Sequence, residues 1–379
     1  MTASSSMHSG CRPIRVAQIV GKMNGGGVEA VVMNYYRHID RSRVQFDFLV
    51  NSDSMLIPSE EIAALGGRVF EIPPYQRVNE YQSELLRLFK QEGWMIVHSH
   101  VNALSVFPLR AAKKADVPVR IAHSHSTSGK GEHAKNVIKA VLKTQSNRYP
   151  TDRFACSRVA GEWLFGEGSD FEIVYNAIEL RRFYYDAAVR AETRANLGLA
   201  DGQFAIGHVG RFTAQKNHRF LIDLFSEVAR HSSDAVLLLV GSGVTRPLVE
   251  SRIAELGIAD RVKFLGQRVD VERLYQAFDA FVLPSLYEGL GVVAIEAQAA
   301  GLPCFLSDTI TREVDVTGTC RFLPINNPDV WADAICHVER HANDGRISVQ
   351  ASAFADYDID RQGERLTKKY LELIGRTHR

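Results

Sequence analysis

The run Leu283-Pro-Ser-Leu-Tyr-Glu-Gly-Leu-Gly-Val-Val-Ala-Ile-Glu-Ala297 decides how this chain is read. Apolar Ala280 to Leu283 reads as a strand that feeds a Gly-x-Gly turn. A helix-like segment leaves the turn and stops at Gly301 and Pro303. A strand, a glycine turn and a helix start leave backbone N–H groups pointing outward, which makes an anion site. Glu288 falls on the turn and Glu296 about two turns into the helix, with seven residues between them. Both carboxylates are therefore expected to line one crevice. Two acceptors flanking an anion-binding turn suit a ligand carrying both hydroxyls and phosphate, such as a nucleotide sugar.

Working outward, the same alternation of strand and helix recurs twice. In the first half, Ile14 to Val20 reads as a strand entering the glycine turn Gly25-Gly26-Gly27, with a helix after it through Tyr35. Phe46 to Val50, Arg68 to Ile72, Met95 to His98, Arg120 to His123, Arg153 to Cys156 and Ile173 to Tyr175 follow as buried strands. The pattern restarts with Phe204 to Val209, Val236 to Val240, Val262 to Leu265, Ala280 to Leu283 and Pro303 to Leu306. Strands alternating with helices predict α/β units, each a doubly wound parallel sheet covered on both faces. The expected layout is a flexible tail over 1–13, a first domain over 14–177, a connection over 178–200 and a second domain over 201–357. A terminal helix within 358–379 is expected to return to the first domain. Ligands of such sheets bind outside the carboxyl ends of the strands, so the two domains are expected to face a central crevice.

A chain of 379 residues accommodates two ordinary domains, and 45% hydrophobic with 23% charged residues describes a globular protein. A formal charge of +1 argues against nucleic-acid binding driven by bulk electrostatics. Five cysteines without Cys-x-x-Cys spacing read as buried thiols in a reducing compartment. No run reaches the roughly 18 apolar residues of a membrane span, and the polar start lacks a secretory core. The expected location is the cytoplasm, with peripheral contact at the inner face of the plasma membrane as a further expectation.

Gly210-Arg211-Phe212-Thr213-Ala214-Gln215-Lys216-Asn217-His218 follows the first strand of the second half. Arg offers a fork and Lys a point charge, so Arg211 and Lys216 at one strand end fit a diphosphate. Taken alone, the run more often describes a solvated basic loop; the Glu-Gly-Leu-Gly turn at another strand end of the same domain favours the phosphate reading. Gly241 and Gly266 lie on further strand-end turns, where glycine serves positive φ or offers backbone groups to a ligand. Gly25-Gly26-Gly27 does not match Gly-x-Gly-x-x-Gly, because position 30 is Ala30, so a dinucleotide site has little support.

Two His-x-His pairs end predicted strands, His98-Ser99-His100 and His123-Ser124-His125. Residues i and i+2 of a strand share a face, so four imidazoles are expected at one sheet edge. A zinc site, structural histidines and an imidazole directed at a reacting sugar all compete, and the last is favoured; no metal is expected. Lys130, Lys135, Lys139, Lys143 and Arg148 beside an apolar stripe within 129–148 read either as a helix on anionic lipid or as a packed helix with one solvated face. Asp358-Ile359-Asp360 has a metal-binding form but precedes a helix, and is read as a cap.

Taken together, the two glutamates, the Gly-Arg-Phe…Gln-Lys-Asn-His run and the two-domain pattern resemble retaining glycosyltransferases of family 4, which have the GT-B architecture. The likeness spans residue 14 to the C-terminus and is strongest over 205–310. The Gln-Lys-Asn-His version looks like bacterial exopolysaccharide and capsule members, many others having Gly after the Lys. The resemblance implies that Arg211 and Lys216 hold the donor diphosphate, with Gly26 and Gly27 approaching it, and that Glu296 accepts from the ribose hydroxyls. It implies that Glu288 contacts the donor sugar while Gly289, Leu290 and Gly291 offer N–H groups. One histidine at the fifth strand's end would face that sugar; His123 and His125 are both candidates, with His125 preferred. The implied activity is metal-independent transfer from a nucleotide sugar, expected to be a UDP-sugar, to a saccharide or lipid-linked saccharide in polysaccharide biosynthesis. The alternatives are a nucleotide-sugar epimerase of the same architecture and a non-catalytic binding subunit.

Overall fold

The computed structural model describes residues 12–125, 141–338 and 346–377. They form two compact units. The first holds the described residues up to His125, then 141–175, and those from Ile359 onward; the second holds 176–338 and 346–358.

In chain order the first unit runs β1 (Ile14–Gly21), α1 (Gly27–His38), β2 (Val44–Asn51), α2 (Ser59–Ala64), β3 (Arg68–Ile72), α3 (Val78–Glu92) and β4 (Ile96–Ser99). It continues with α4 (Val106–Lys114), β5 (Val119–Ser124), β6 (Asp152–Ala155), α5 (Arg158–Phe165) and β7 (Glu172–Ile173). All seven strands are parallel, in the order β3-β2-β1-β4-β5-β6-β7. Their apolar runs are buried because helices cover both faces. One charge is buried among them. Asp47 on β2 is fully enclosed and accepts from Arg15 Nε (2.8 Å), Arg68 Nε (3.0 Å) and Trp94 Nε1 (2.7 Å). Burial alone would raise its pKa, but the donors from Arg15, Arg68 and Trp94 outweigh that and hold the carboxyl below its ordinary value.

The second unit contains α6 (Leu180–Phe183), α7 (Ala187–Asn196), β8 (Phe204–Val209), α8 (His218–His231), β9 (Ala235–Val240), α9 (Arg246–Leu256), β10 (Val262–Gly266) and α10 (Val271–Ala277). It ends with β11 (Ala280–Leu283), α11 (Val292–Ala299), β12 (Cys304–Ser307), β13 (Arg321–Leu323) and α12 (Pro328–Cys336). These strands are also parallel, in the order β10-β9-β8-β11-β12-β13. Ala-Val-Leu-Leu-Leu-Val of β9 is buried along its whole length. Against that sheet, α8 lays Phe220, Leu221, Leu224, Phe225 and Val228, an apolar stripe at helical spacing, with Trp331 of α12 at its edge. Residues 178–200, read from sequence as a connection, carry α6 and α7. Arg190 of α7 donates to the carbonyls of Gln276 and Phe278 and pairs with Asp279, so this segment packs on the second unit.

The chain then returns to the first unit as α13 (Ile359–Thr377). Leu366, Tyr370 and Leu373 are its buried face. Gly363 permits the close approach: a Cβ there would stand 2.7 Å from His38 O at the end of α1. Asp360, in the first turn, lies 2.7 Å from His38 Nδ1.

Candidate active site

In each sheet the winding reverses beside its first strand, between β1 and β4 and between β8 and β11. That reversal opens a gap at the carboxyl ends where ligands bind. In the second unit, residues 210–216 follow β8 and residues 284–291 follow β11, so both motifs flank the reversal. They are joined directly. Gln215 O accepts from Leu286 N at 2.8 Å, and its side-chain amide donates to Tyr287 O (3.0 Å) and Glu288 Oε2 (3.2 Å). Lys216 Nζ donates to Glu288 Oε1 at 2.7 Å, with both side chains mostly buried. Arg211 is exposed and makes no ion pair among the described residues.

The glycine turns explain how the basic loop is seated. Gly210 N donates to Val240 O, Phe212 N to Ser242 O, and Gly241 N to Gly266 O, which stitches the ends of β8, β9 and β10 together. At Gly241 φ is +131°, and a Cβ would stand 2.1 Å from Gly210 O; at Gly243 φ is +151° and the clash would be with Phe212 O at 2.4 Å. Asn217 is left-handed, with φ 54° and ψ 43°. That conformation suits Gly best and Asn next, so Asn217 meets the backbone need that Gly after the Lys would meet. Beneath the loop, His218 stacks on Phe212 at 4.1 Å between ring centroids. Burial first, and then the Lys216 charge, push its pKa down to about 4, so it is neutral.

Gly291 caps α11 in the left-handed region, with φ 78° and ψ 56°. The helix begins at Val292, so Glu296 sits one turn in rather than two. Leu290 is buried. Tyr275, which no sequence signal singled out, supplies the partner of Glu296: Tyr275 Oη lies 2.8 Å from Glu296 Oε2 and 3.0 Å from Val293 O. Burial, only partly offset by that hydrogen bond, pushes the Glu296 pKa up to about 7.

In the first unit, Gly26 caps α1, and Glu29 Oε2 accepts from Asn24 N (2.9 Å) and Gly26 N (2.8 Å). Glu29, at the third position of the helix, thus closes the glycine loop as the carboxylate half of a capping box, Gly26 having no side chain to return the bond. A Cβ at Gly27 would meet nothing within 4 Å, so packing does not demand glycine there. The four histidines do gather. His98 Nε2 lies 3.0 Å from His123 Nδ1, and His100 Nδ1 lies 2.9 Å from His125 Nε2. Burial, with the neighbouring imidazoles, holds His98, His100 and His123 well below the ordinary imidazole pKa. His98, His100 and His123 have ring nitrogens within 4.8 Å of one another. Both nitrogens of His98 and of His100 are already engaged in hydrogen bonds, one of them to His123 itself, which disfavours a metal there. The basic segment 129–148 lies outside the described residues as far as 140. In its described part, Lys143 Nζ sits 5.5 Å from the Trp163 ring centroid.

Two parallel doubly wound units with paired cations and glutamates at a strand-end reversal define the GT-B class of sugar-transferring enzymes. Residues 203–341 match the family model "Glycosyl transferases group 1", and residues 26–175 match "Glycosyl transferase 4-like domain". The chain is 37% identical over 332 residues to the Bacillus subtilis (strain 168) protein named "Putative glycosyltransferase EpsF", covering 85% of this chain and 86% of that one. It is 28% identical over 235 residues to an Escherichia coli UDP-Gal:alpha-D-GlcNAc-diphosphoundecaprenol alpha-1,3-galactosyltransferase, covering 59% of this chain and 60% of that enzyme. The fold matches Anabaena HepE in complex with UDP-glucose at TM-score 0.79 and 19% identity, over 95% of this chain and 99% of the other. The chain belongs to the group 1 (family 4) glycosyltransferases.

Proposed function

We propose that this glycosyltransferase moves a sugar, with retention of anomeric configuration and without a metal, from a UDP-sugar to a lipid-linked saccharide in polysaccharide biosynthesis. The observation that carries the reading is the junction of the Arg211–Lys216 loop with the Glu288–Gly291 turn at the β8/β11 reversal. The HepE complex with UDP-glucose and the galactosyltransferase named for UDP-Gal and a diphosphoundecaprenol acceptor support the donor and acceptor classes.

The chemistry follows from charge. The bond from the anomeric carbon to the diphosphate breaks, leaving a cationic sugar and a diphosphate that gains negative charge. Stabilising that leaving group is the main task. Lys216, Arg211 and the N–H groups at the start of α11 supply positive charge without a metal ion. Lys216 is paired with Glu288 in the free protein, and the diphosphate competes for it with a larger charge. Glu296 accepts from ribose hydroxyls and Glu288 from the sugar. The acceptor hydroxyl attacks on the leaving-group side, giving its proton to the departing phosphate oxygen. By the family likeness, Gly26, Gly27 and one of His123 and His125 complete the donor contacts.

The full chain should transfer sugar from one member of a UDP-sugar panel to a polyprenyl-diphosphate saccharide, with EDTA present and the anomer read by proton NMR. Inversion, or conversion of the UDP-sugar without acceptor, would overturn the reading; the second outcome would mark an epimerase.

A further inference from the structure

The buried histidines are joined end to end through two residues outside the His-x-His motifs. Gln18, in the middle of β1, and Tyr370, on α13, are both buried. Gln18 Oε1 lies 2.7 Å from His100 Nε2, Gln18 Nε2 donates to Tyr370 Oη at 3.2 Å, and Tyr370 Oη lies 2.7 Å from His98 Nδ1. These rings line a small cavity in the first unit with Tyr35 and His123.

Hydrogen-bond direction can be followed from the amide. A carbonyl oxygen only accepts, so His100 carries its proton on Nε2 and presents a bare Nδ1. A neutral imidazole has one proton, so His125 must donate to that Nδ1 from Nε2. On the other side, Tyr370 accepts from Gln18 and gives its own proton to His98 Nδ1. His98 then donates from Nε2 to His123 Nδ1. The donors all run one way: His125, His100, Gln18, Tyr370, His98, His123. Turning the Gln18 amide over reverses every bond in the chain, so one side-chain orientation fixes the tautomer of all four imidazoles.

We infer that Gln18, held by Tyr370, is a positioning residue that fixes His125 in its Nε2–H tautomer, so that Nδ1 is presented as an acceptor for a hydroxyl of the donor sugar. His125 lies just past β5, where the strand-end rule places ligands, whereas His123 lies within β5. This rests on the proposed reading that a histidine of this strand meets the donor sugar. A tautomer with Nδ1–H would turn an acceptor into a donor and mismatch the hydroxyl it holds.

The test is long-range nitrogen-15 NMR of the histidine rings in the full chain, with kinetics on the same samples. Wild type should show His125 protonated on Nε2 as a single tautomer. Tyr370→Phe and Gln18→Met should each give a mixture at His125, although neither residue touches it. Both should lower kcat about tenfold while donor KM changes less than about threefold. That kcat loss corresponds to about 1.4 kcal/mol in the transition state. A His125 Nδ1–H tautomer in wild type, or an unchanged tautomer in both variants, would overturn the inference. Should the variants fail to fold, the wild-type spectrum still decides the direction of the chain. His125→Ala with undiminished transfer, beside the expected wild-type spectrum, would instead reject the reading that His125 meets the sugar.

Discussion

Lys216 Nζ and Glu288 Oε1 are 2.7 Å apart, so the cation proposed to meet a phosphate is held by the carboxylate proposed to meet a sugar. The pair joins the β8 loop to the β11 turn and keeps Lys216 from wandering before the donor arrives. Lys216→Ala should therefore lower transfer well over tenfold while leaving the unfolding transition cooperative. Glu288 keeps its bond from Gln215. Steady-state kinetics and a thermal melt check both halves; near-normal turnover rejects the phosphate assignment.

Glu296 yields a pH dependence of defined sign. Its pKa rises from the usual 4.5 to about 7 on burial, so protonation favours the folded state. That contribution is whole below pH 4.5 and is lost as pH climbs through about 7. Glu296→Gln, which mimics the protonated form, should melt higher than wild type at pH 8 and near it at pH 5. Under the proposed ribose contact, hydroxyls favour the carboxylate, so UDP affinity of wild type should rise with pH through about 7, and Glu296→Gln should abolish that rise. Tyr275→Phe removes the donor and should move the affinity midpoint to higher pH. Calorimetric titration of UDP at several pH values reads the affinities, and thermal melts at pH 5 and pH 8 read the stability.

Gly241→Ala should weaken UDP binding at least tenfold, because its Cβ would lie 2.1 Å from Gly210 O and only backbone movement relieves that. Gly257→Ala is the control. Gly257 also has positive φ, at +67°, but a Cβ there meets nothing within 4 Å. It should cost about 1 kcal/mol of stability and leave UDP affinity unchanged.

Asn217→Gly should be close to neutral, whereas Asn217→Ala should cost about 1 kcal/mol in denaturant unfolding, since a left-handed residue without a side-chain amide bears the steric penalty. Equal stability of the two variants would contradict the conformation seen at Asn217.

Much of this was legible in the chain because it is encoded locally. Buried parallel strands such as Ala-Val-Leu-Leu-Leu-Val of β9 are continuous apolar runs, and Gly291 and Gly301 punctuate α11 on both sides. The restart of the pattern with Phe204 to Val209 announced the second sheet. What escaped depends on contacts between distant segments. β13 has three residues, one an arginine, and pairs only because β12 offers an edge. Tyr275 reaches Glu296 from another helix, and Gln18 and Tyr370 meet across 352 positions. No periodicity records such meetings. Residues 178–200 had no strand pattern, yet Arg190 anchors them through carbonyls that sequence spacing does not display.

Arg211, Lys216 and the start of α11 are proposed to grip a diphosphate. Comparing UDP with UMP by titration calorimetry, in wild type and in the Arg211→Ala/Lys216→Ala double variant, tests it most directly. Two charge-assisted contacts at about 1.5 kcal/mol each predict that wild type prefers UDP by roughly a hundredfold or more. The double variant should bind the two nucleotides within a few-fold of each other. A double variant that keeps the full preference for UDP would show that these two cations do not hold the diphosphate.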